Sequence, residues 1–162
     1  MRKTYKVAGH KFAVIMPDDS PGWNNMGNYE PFFVEDADDC LFRVEQMDVF
    51  PDTHDKKTIS SMCCDFNQPR FDWYDWNDCW LMEVAVPESP VCFRMLVDKD
   101  NSYVRFQVIE YWNFSFNTMM KLAFSFATAS LFTIQLHASV TMKDGKGYLF
   151  LGNSGTGKST HS

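Results

Sequence analysis

Residues 152 to 160 read Gly-Asn-Ser-Gly-Thr-Gly-Lys-Ser-Thr, a complete G-x-x-x-x-G-K-[ST] pattern directly behind the apolar run Gly147-Tyr148-Leu149-Phe150-Leu151. No other stretch narrows the architecture so much, because a loop of this kind works only between a strand and the start of a helix. Its glycines let the backbone curl until successive N–H groups point inward, and they admit phosphate oxygens where a Cβ would block them. Lys158 then reaches the β- and γ-phosphates as a point charge, the Ser159 hydroxyl holds Mg²⁺, and the helix start aims its positive end at the anion. The pattern assigns Gly152, Asn153, Ser154, Gly155, Thr156, Gly157, Lys158, Ser159 and Thr160 to a nucleotide-phosphate site, with ATP and Mg as cofactors.

The strand is legible and so is its partner. Tyr148 to Leu151 is a short apolar, partly aromatic run of buried-strand type. The Asp144-Gly145 turn signal precedes it and Leu136 to Met142 runs before that, so a final hairpin is expected around Lys143 to Lys146. Four residues follow Lys158, about one helical turn, whereas isolated helices below about 12–15 residues are marginal. The expectation is therefore a fragment that stops just after its phosphate loop and binds ATP weakly or not at all.

Upstream, the hydrophobic period is mostly two. Tyr5 and Val7, then Phe12, Val14 and Met16, read as a hairpin turning at Gly9. Turn-forming residues crowd 17 to 29, predicting an exposed loop. Phe32 to Val34 and Leu41 to Val44 read as strands around the acidic turn Glu35 to Asp39, whose carboxylates lack the glycine and terminal glutamate of a calcium loop. Residues 51 to 70 are polar and read as a connection, with His54 on the surface. In Phe71 to Trp80 aromatics and aspartates interleave, the aromatics under a sheet edge and the aspartates in water. Residues 80 to 86, 91 to 97 and 104 to 108 alternate strongly and read as an antiparallel meander with one buried face.

Between Phe114 and Gln135 the period changes. Met120, Phe124, Ala127 and Leu131 fall at helical spacing, Ser115 or Asn117 is a candidate cap, and Lys121 is the only charge, so a helix buried on most sides is expected. The fold class that follows is α+β: an antiparallel β-rich domain over 1–113, a buried connecting helix over 114–135, and over 136–162 the opening hairpin and phosphate loop of a further domain.

Composition excludes several functions. Among 162 residues the net charge is −6, and no basic stripe exists to displace counterions from a nucleic acid. No run approaches the roughly 18 apolar residues of a membrane helix, and no apolar segment follows the charged N-terminus, which points to a cytoplasmic protein with no membrane partner. The five cysteines show no C-x-x-C spacing and read as buried thiols.

Leu136-His137-Ala138-Ser139-Val140, the Asp144-Gly145 turn, Tyr148 to Leu151 and the loop Gly152 to Thr160 together resemble the start of the catalytic domain in the HPr kinase/phosphorylase superfamily, which is related in fold to ATP-dependent phosphoenolpyruvate carboxykinase. The resemblance covers residues 136 to 162 at the level of motifs and implies a kinase core of the carboxykinase type, in which a short hairpin delivers the phosphate loop. By that similarity Lys158 and Ser159 bind nucleotide phosphate and Mg²⁺. His137 by itself is a core or sheet-edge histidine. The resemblance implies a catalytic place near the phosphates, where it supplies a donor or positive charge. The acidic residues that hold metal and activate the acceptor in that family have no counterpart here, so the acceptor stays open between a protein serine and a small molecule.

The reading is the N-terminal part of an ATP-dependent phosphotransferase, HPr kinase-like or phosphoenolpyruvate carboxykinase-like. The alternative is a non-catalytic module in which the β domain binds a ligand or partner and the loop senses nucleotide. An apolar strand left without sheet neighbours is also expected to favour homo-oligomers.

Overall fold

A computed structural model of the chain describes residues 1–35, 38–63, 68–87, 89–136 and 138–152. Strict alternation gives the first elements: β1 (Arg2–Val7) and β2 (His10–Ile15) form a tight hairpin with Tyr5 opposite Phe12. The turn places Ala8 and Gly9 at positive φ, the pairing that a two-residue hairpin loop demands. The strands β3 (Phe33–Val34) and β4 (Phe42–Gln46) follow, then β5 (Lys57–Cys63), β6 (Arg70–Trp76), β7 (Cys79–Val86), β8 (Ser89–Asp98) and β9 (Tyr103–Val108).

These make one nine-stranded sheet in the order β3-β1-β2-β4-β9-β8-β7-β6-β5. The run β5 to β9 is an antiparallel meander, as the alternation predicts. The sheet is mixed rather than antiparallel throughout, because β4 lies parallel to both β2 and β9. Local alternation specifies which face a residue takes but not which distant strand lies alongside it.

On one face the helix α1 (Trp112–Thr128) packs across the middle of the sheet, burying Phe116, Met119, Met120, Ala123, Phe124 and Ala127. It differs from expectation at both ends. Tyr111 caps it in the left-handed conformation, Ser115 donates its hydroxyl back to the Glu110 carbonyl at 2.7 Å, and the helix stops at Thr128, seven residues before Gln135. Its buried residues form one stripe, while Asn113, Phe114 and Lys121 on the other side are exposed. The protein is therefore mixed α and β, a strand-rich sheet with one long helix, and no helix among the described residues is long and apolar enough to cross a membrane.

Two further segments depart from the sequence reading. Residues 17 to 29 are no bare loop: 3-10 turns at Pro21–Asn25 and Gly27–Phe32 cover the β1 end of the sheet, with Met26 and Ser20 buried. The Ser20 hydroxyl caps the first turn by accepting from the Gly22 N–H, and the Trp23 indole donates to the Pro17 carbonyl at 2.7 Å. The polar stretch 51 to 70 contains β5, which hides among serines and threonines because it is the sheet's edge and nearly every side chain on it is exposed.

The core between sheet and helix combines valines and methionines with a group of stacked and edge-on aromatic rings. Phe12 stacks on Phe42 with centroids 5.0 Å apart, and both meet the edge of Phe124. A smaller cluster of Phe50, Cys79, Leu81 and Leu96 occupies the other face, with Met47, Tyr74 and Trp76 packed against it.

Candidate functional site

After α1 the chain turns at Phe132, which is left-handed at φ 57° and fully exposed. Thr133 then pins it to the body: its hydroxyl lies 2.8 Å from His10 Nε2, and the His10 ring meets the edge of Phe124. The approach to the last hairpin is thus tied to the β1–β2 turn and, through Phe124, to the core.

That hairpin is β10 (Ser139–Lys143) and β11 (Lys146–Phe150), in register from Ser139 opposite Phe150 to Lys143 opposite Lys146. Asp144 and Gly145 take φ values of 53° and 73°, the conformation that an Asp-Gly two-residue loop predicts. The two strands form a separate sheet, and Val140, Met142, Tyr148, Leu149, Phe150 and Leu151 are all exposed. An apolar surface of this kind on a single hairpin marks a place for something to pack.

β11 ends at Phe150, and Leu151 and Gly152 follow it, both exposed. The strand required before a phosphate loop is therefore in place. Asn153, Ser154, Gly155, Thr156, Gly157, Lys158, Ser159 and Thr160 lie outside the described residues, as does His137.

Elsewhere the charged side chains are mostly engaged. Glu83, nearly buried, receives Lys56 at 2.7 Å, and the Lys56 ammonium also lies over the Tyr74 ring. Asp72 is buried rather than in water, accepting from Ser61 at 2.6 Å and Arg70 at 2.8 Å. Asp75 pairs with Lys99, whose ammonium lies over Trp80. His54 is on the surface, as expected, with Nδ1 3.2 Å from Asp52. The acidic turn behaves as a solvated one, Asp39 pairing with Lys11 and Asp38 approaching Arg2. No group of three or more His, Cys, Asp or Glu side chains among the described residues could hold a metal ion.

The cysteines differ from the uniform expectation. Cys79 and Cys92 are buried, Cys40 is half-buried and Cys63 is exposed, while Cys64 lies outside the described residues. Burial pushes the Cys79 thiol up, against the pull of Arg105, whose guanidinium lies 3.1 Å from the sulfur and 2.7 Å from Asp98. Cys79 packs with Phe50, Leu81 and Leu96 in the smaller buried cluster.

One feature had only a partial signal in the sequence. The aromatic strip does not all face one way: Phe71 and Trp73 point to the helix side of the sheet, and Tyr74 and Trp76 to the other. On the helix side Ser60, Met62, Phe71, Trp73 and Met82 form a floor beside the flank of α1, where Leu122 and Phe126 make a wall, around a cleft of about 280 Å³. The sequence placed the aromatics under a sheet edge, but β5, which supplies Ser60 and Met62 to the cleft, read as a polar connection.

The chain matches no protein-family model, no curated protein and no solved structure.

Proposed function

We propose that this chain carries the nucleotide-phosphate loop and the β-rich domain of an ATP-dependent phosphotransferase of the HPr kinase or phosphoenolpyruvate carboxykinase type. The observation that carries the reading is the β10–β11 hairpin, whose Asp144-Gly145 turn sends an extended strand directly into the G-x-x-x-x-G-K-S pattern. In this reading the backbone N–H groups from Gly152 to Thr160 cradle the phosphates and Lys158 binds them as a cation. The donor chemistry suits Mg²⁺, a hard cation that takes oxygen ligands and shares them with substrate phosphates; the Ser159 hydroxyl is that ligand. His137 lies two residues before β10 in the sequence and the loop pattern begins two residues after β11, and the resemblance to the kinase family supports a place for the histidine beside the phosphates. A bound Mg-nucleotide supplies the phosphoryl group, and the acceptor is a protein serine or a small molecule.

The test is phosphoryl transfer or phosphate release from ATP by the full-length protein, with Lys158→Ala alongside. Loss of activity in the variant at unchanged folding is the expected result, and undiminished turnover refutes the assignment. The cleft beside Phe126 favours a second reading, a ligand-binding module whose loop senses nucleotide, which nucleotide binding without any turnover by the full-length protein would select.

A further inference from the structure

We infer that the cleft between the flank of α1 and the β5–β7 part of the sheet is a binding site for a small, neutral, one- or two-ring molecule bearing one hydrogen-bonding group. The helix covers the middle of the sheet and the 3-10 turns cover the β1 end, and among the described residues no further layer covers the β5 end of the same face. What lies there is shaped rather than flat. Trp73 stacks on Phe126 with centroids 5.1 Å apart and planes 28° from parallel, locking floor to wall, and Met82 closes the base with almost no exposure.

Charge and size select the occupant. Among the described residues no carboxylate, ammonium or guanidinium lines the cleft, and the polar side-chain groups of its lining are the Ser60 hydroxyl and the Trp73 indole N–H. A charged ligand would lose its hydration there with nothing to replace it, whereas a neutral ring loses only unfavourable contact with water. The volume, about 280 Å³, falls just under the roughly 300–1,000 Å³ of drug-sized sites and fits one or two fused rings. Ser60 sits half-buried on the floor opposite Trp73 in the strand pairing, so its hydroxyl meets a ligand carbonyl or hydroxyl edge-on while the aromatic rings take the ligand's faces. None of the residues lining the cleft belongs to the G-x-x-x-x-G-K-[ST] stretch.

The experiment is a fluorescence titration of the 162-residue chain with prodan, a neutral two-ring naphthalene carrying one ketone, followed by displacement with 2-naphthol. Saturable one-to-one binding with a blue-shifted emission is expected. Met62→Glu and Leu122→Glu, both at the rim, are expected to weaken it at least tenfold. Met62 is 62% exposed, so its substitution leaves the core intact, which far-UV circular dichroism checks. Ser60→Ala is expected to weaken prodan about threefold or more, and Leu149→Glu, on the exposed hairpin, to leave it unchanged. Absence of saturable binding overturns the inference, as does affinity indifferent to both rim charges or to Ser60→Ala. Sedimentation showing a dimer that Met62→Glu dissociates also overturns it, because the face would then be an interface between copies.

Discussion

Phe12 is the side chain on which the layers of this molecule meet, and Phe12→Ala tests whether they are held as described. It has no exposed surface, its ring stacks 5.0 Å from Phe42 of β4 and 5.7 Å from Tyr5 of β1, and it makes T-shaped contacts with Tyr29 and Phe124. Those partners belong to two strands, a 3-10 turn and the helix, so the cavity left by truncation cannot be filled by the shift of any one element. Phenylalanine-to-alanine changes in cores cost about 3–5 kcal/mol, and ring pairs add about 0.5–1.5 kcal/mol each beyond burial, which places Phe12→Ala near the top of the range, about 5 kcal/mol. That is a large share of the roughly 5–15 kcal/mol that holds an ordinary domain. In urea, with a slope of about 2 kcal/mol/M, the unfolding midpoint falls by about 2.5 M. Tryptophan fluorescence and far-UV circular dichroism follow the transition together. Phe132→Ala, at a fully exposed ring, is the control and is expected to stay within about 0.5 kcal/mol. A cost below about 2 kcal/mol at Phe12, or an equal cost at Phe132, refutes the packing argument.

Tyr5 makes a second case, since its buried hydroxyl has no hydrogen-bond partner among the described residues and its pKa is pushed up to about 12, first by burial and then by the charge of Glu30. Tyr5→Phe is expected to be stabilising by about 1 kcal/mol in thermal unfolding, because it removes an unpaired polar atom and keeps the ring; marked destabilisation refutes this. The pH dependence has a definite sign: below pH 10 the tyrosine is protonated in both states, and above it the unfolded chain releases a proton that the folded one keeps. Stability therefore falls between about pH 10 and 12 by up to about 1.4 kcal/mol per unit, and Tyr5→Phe reduces that slope while Tyr29 and Tyr74, also raised by burial, leave a remainder. Gly145→Ala puts a Cβ at φ 73° and is expected to cost the last hairpin about 1–2 kcal/mol, read as faster amide exchange in β10 and β11. The global unfolding midpoint should hold, because that hairpin is its own sheet; a shifted midpoint refutes the separation.

Much of the fold was legible because it is local. The β1–β2 hairpin, the β7–β9 ladder and the final hairpin each announce themselves by alternation and a turn dipeptide, and the stripe Met120, Phe124, Ala127 marks the helix. What escaped was set by distant contacts. β5 reads as a polar connection because an edge strand need bury nothing, and Met26 reads as loop until the sheet beneath it is known. The helix start was misplaced because the cap is Tyr111 in a left-handed turn, a conformation tyrosine adopts only where surrounding structure enforces it. The proposed phosphate loop is the reverse case, its residue types carrying the chemical reading while the structure describes the strand that precedes Gly152. For the aromatic cleft, the residue types of the strip were visible but the partners that shape it, Ser60, Met62, Leu122 and Phe126, come from other parts of the chain.

The position of β4 bears on how the molecule reaches this state. The β1–β2 hairpin and the β5–β9 ladder each form from neighbours in sequence, so each can zip early and cheaply. Among the described residues they join in the sheet through the five residues of β4, parallel to both, with Val44 opposite Val14 on one side and Val104 on the other. Parallel seams between distant segments close late, since the loops must be closed before any contact rewards them. Until β4 docks, the chain is two ladders with open inner edges, each a template for the wrong partner. Folding speed and the tendency to misassemble should therefore respond most to substitutions at Phe42 and Val44.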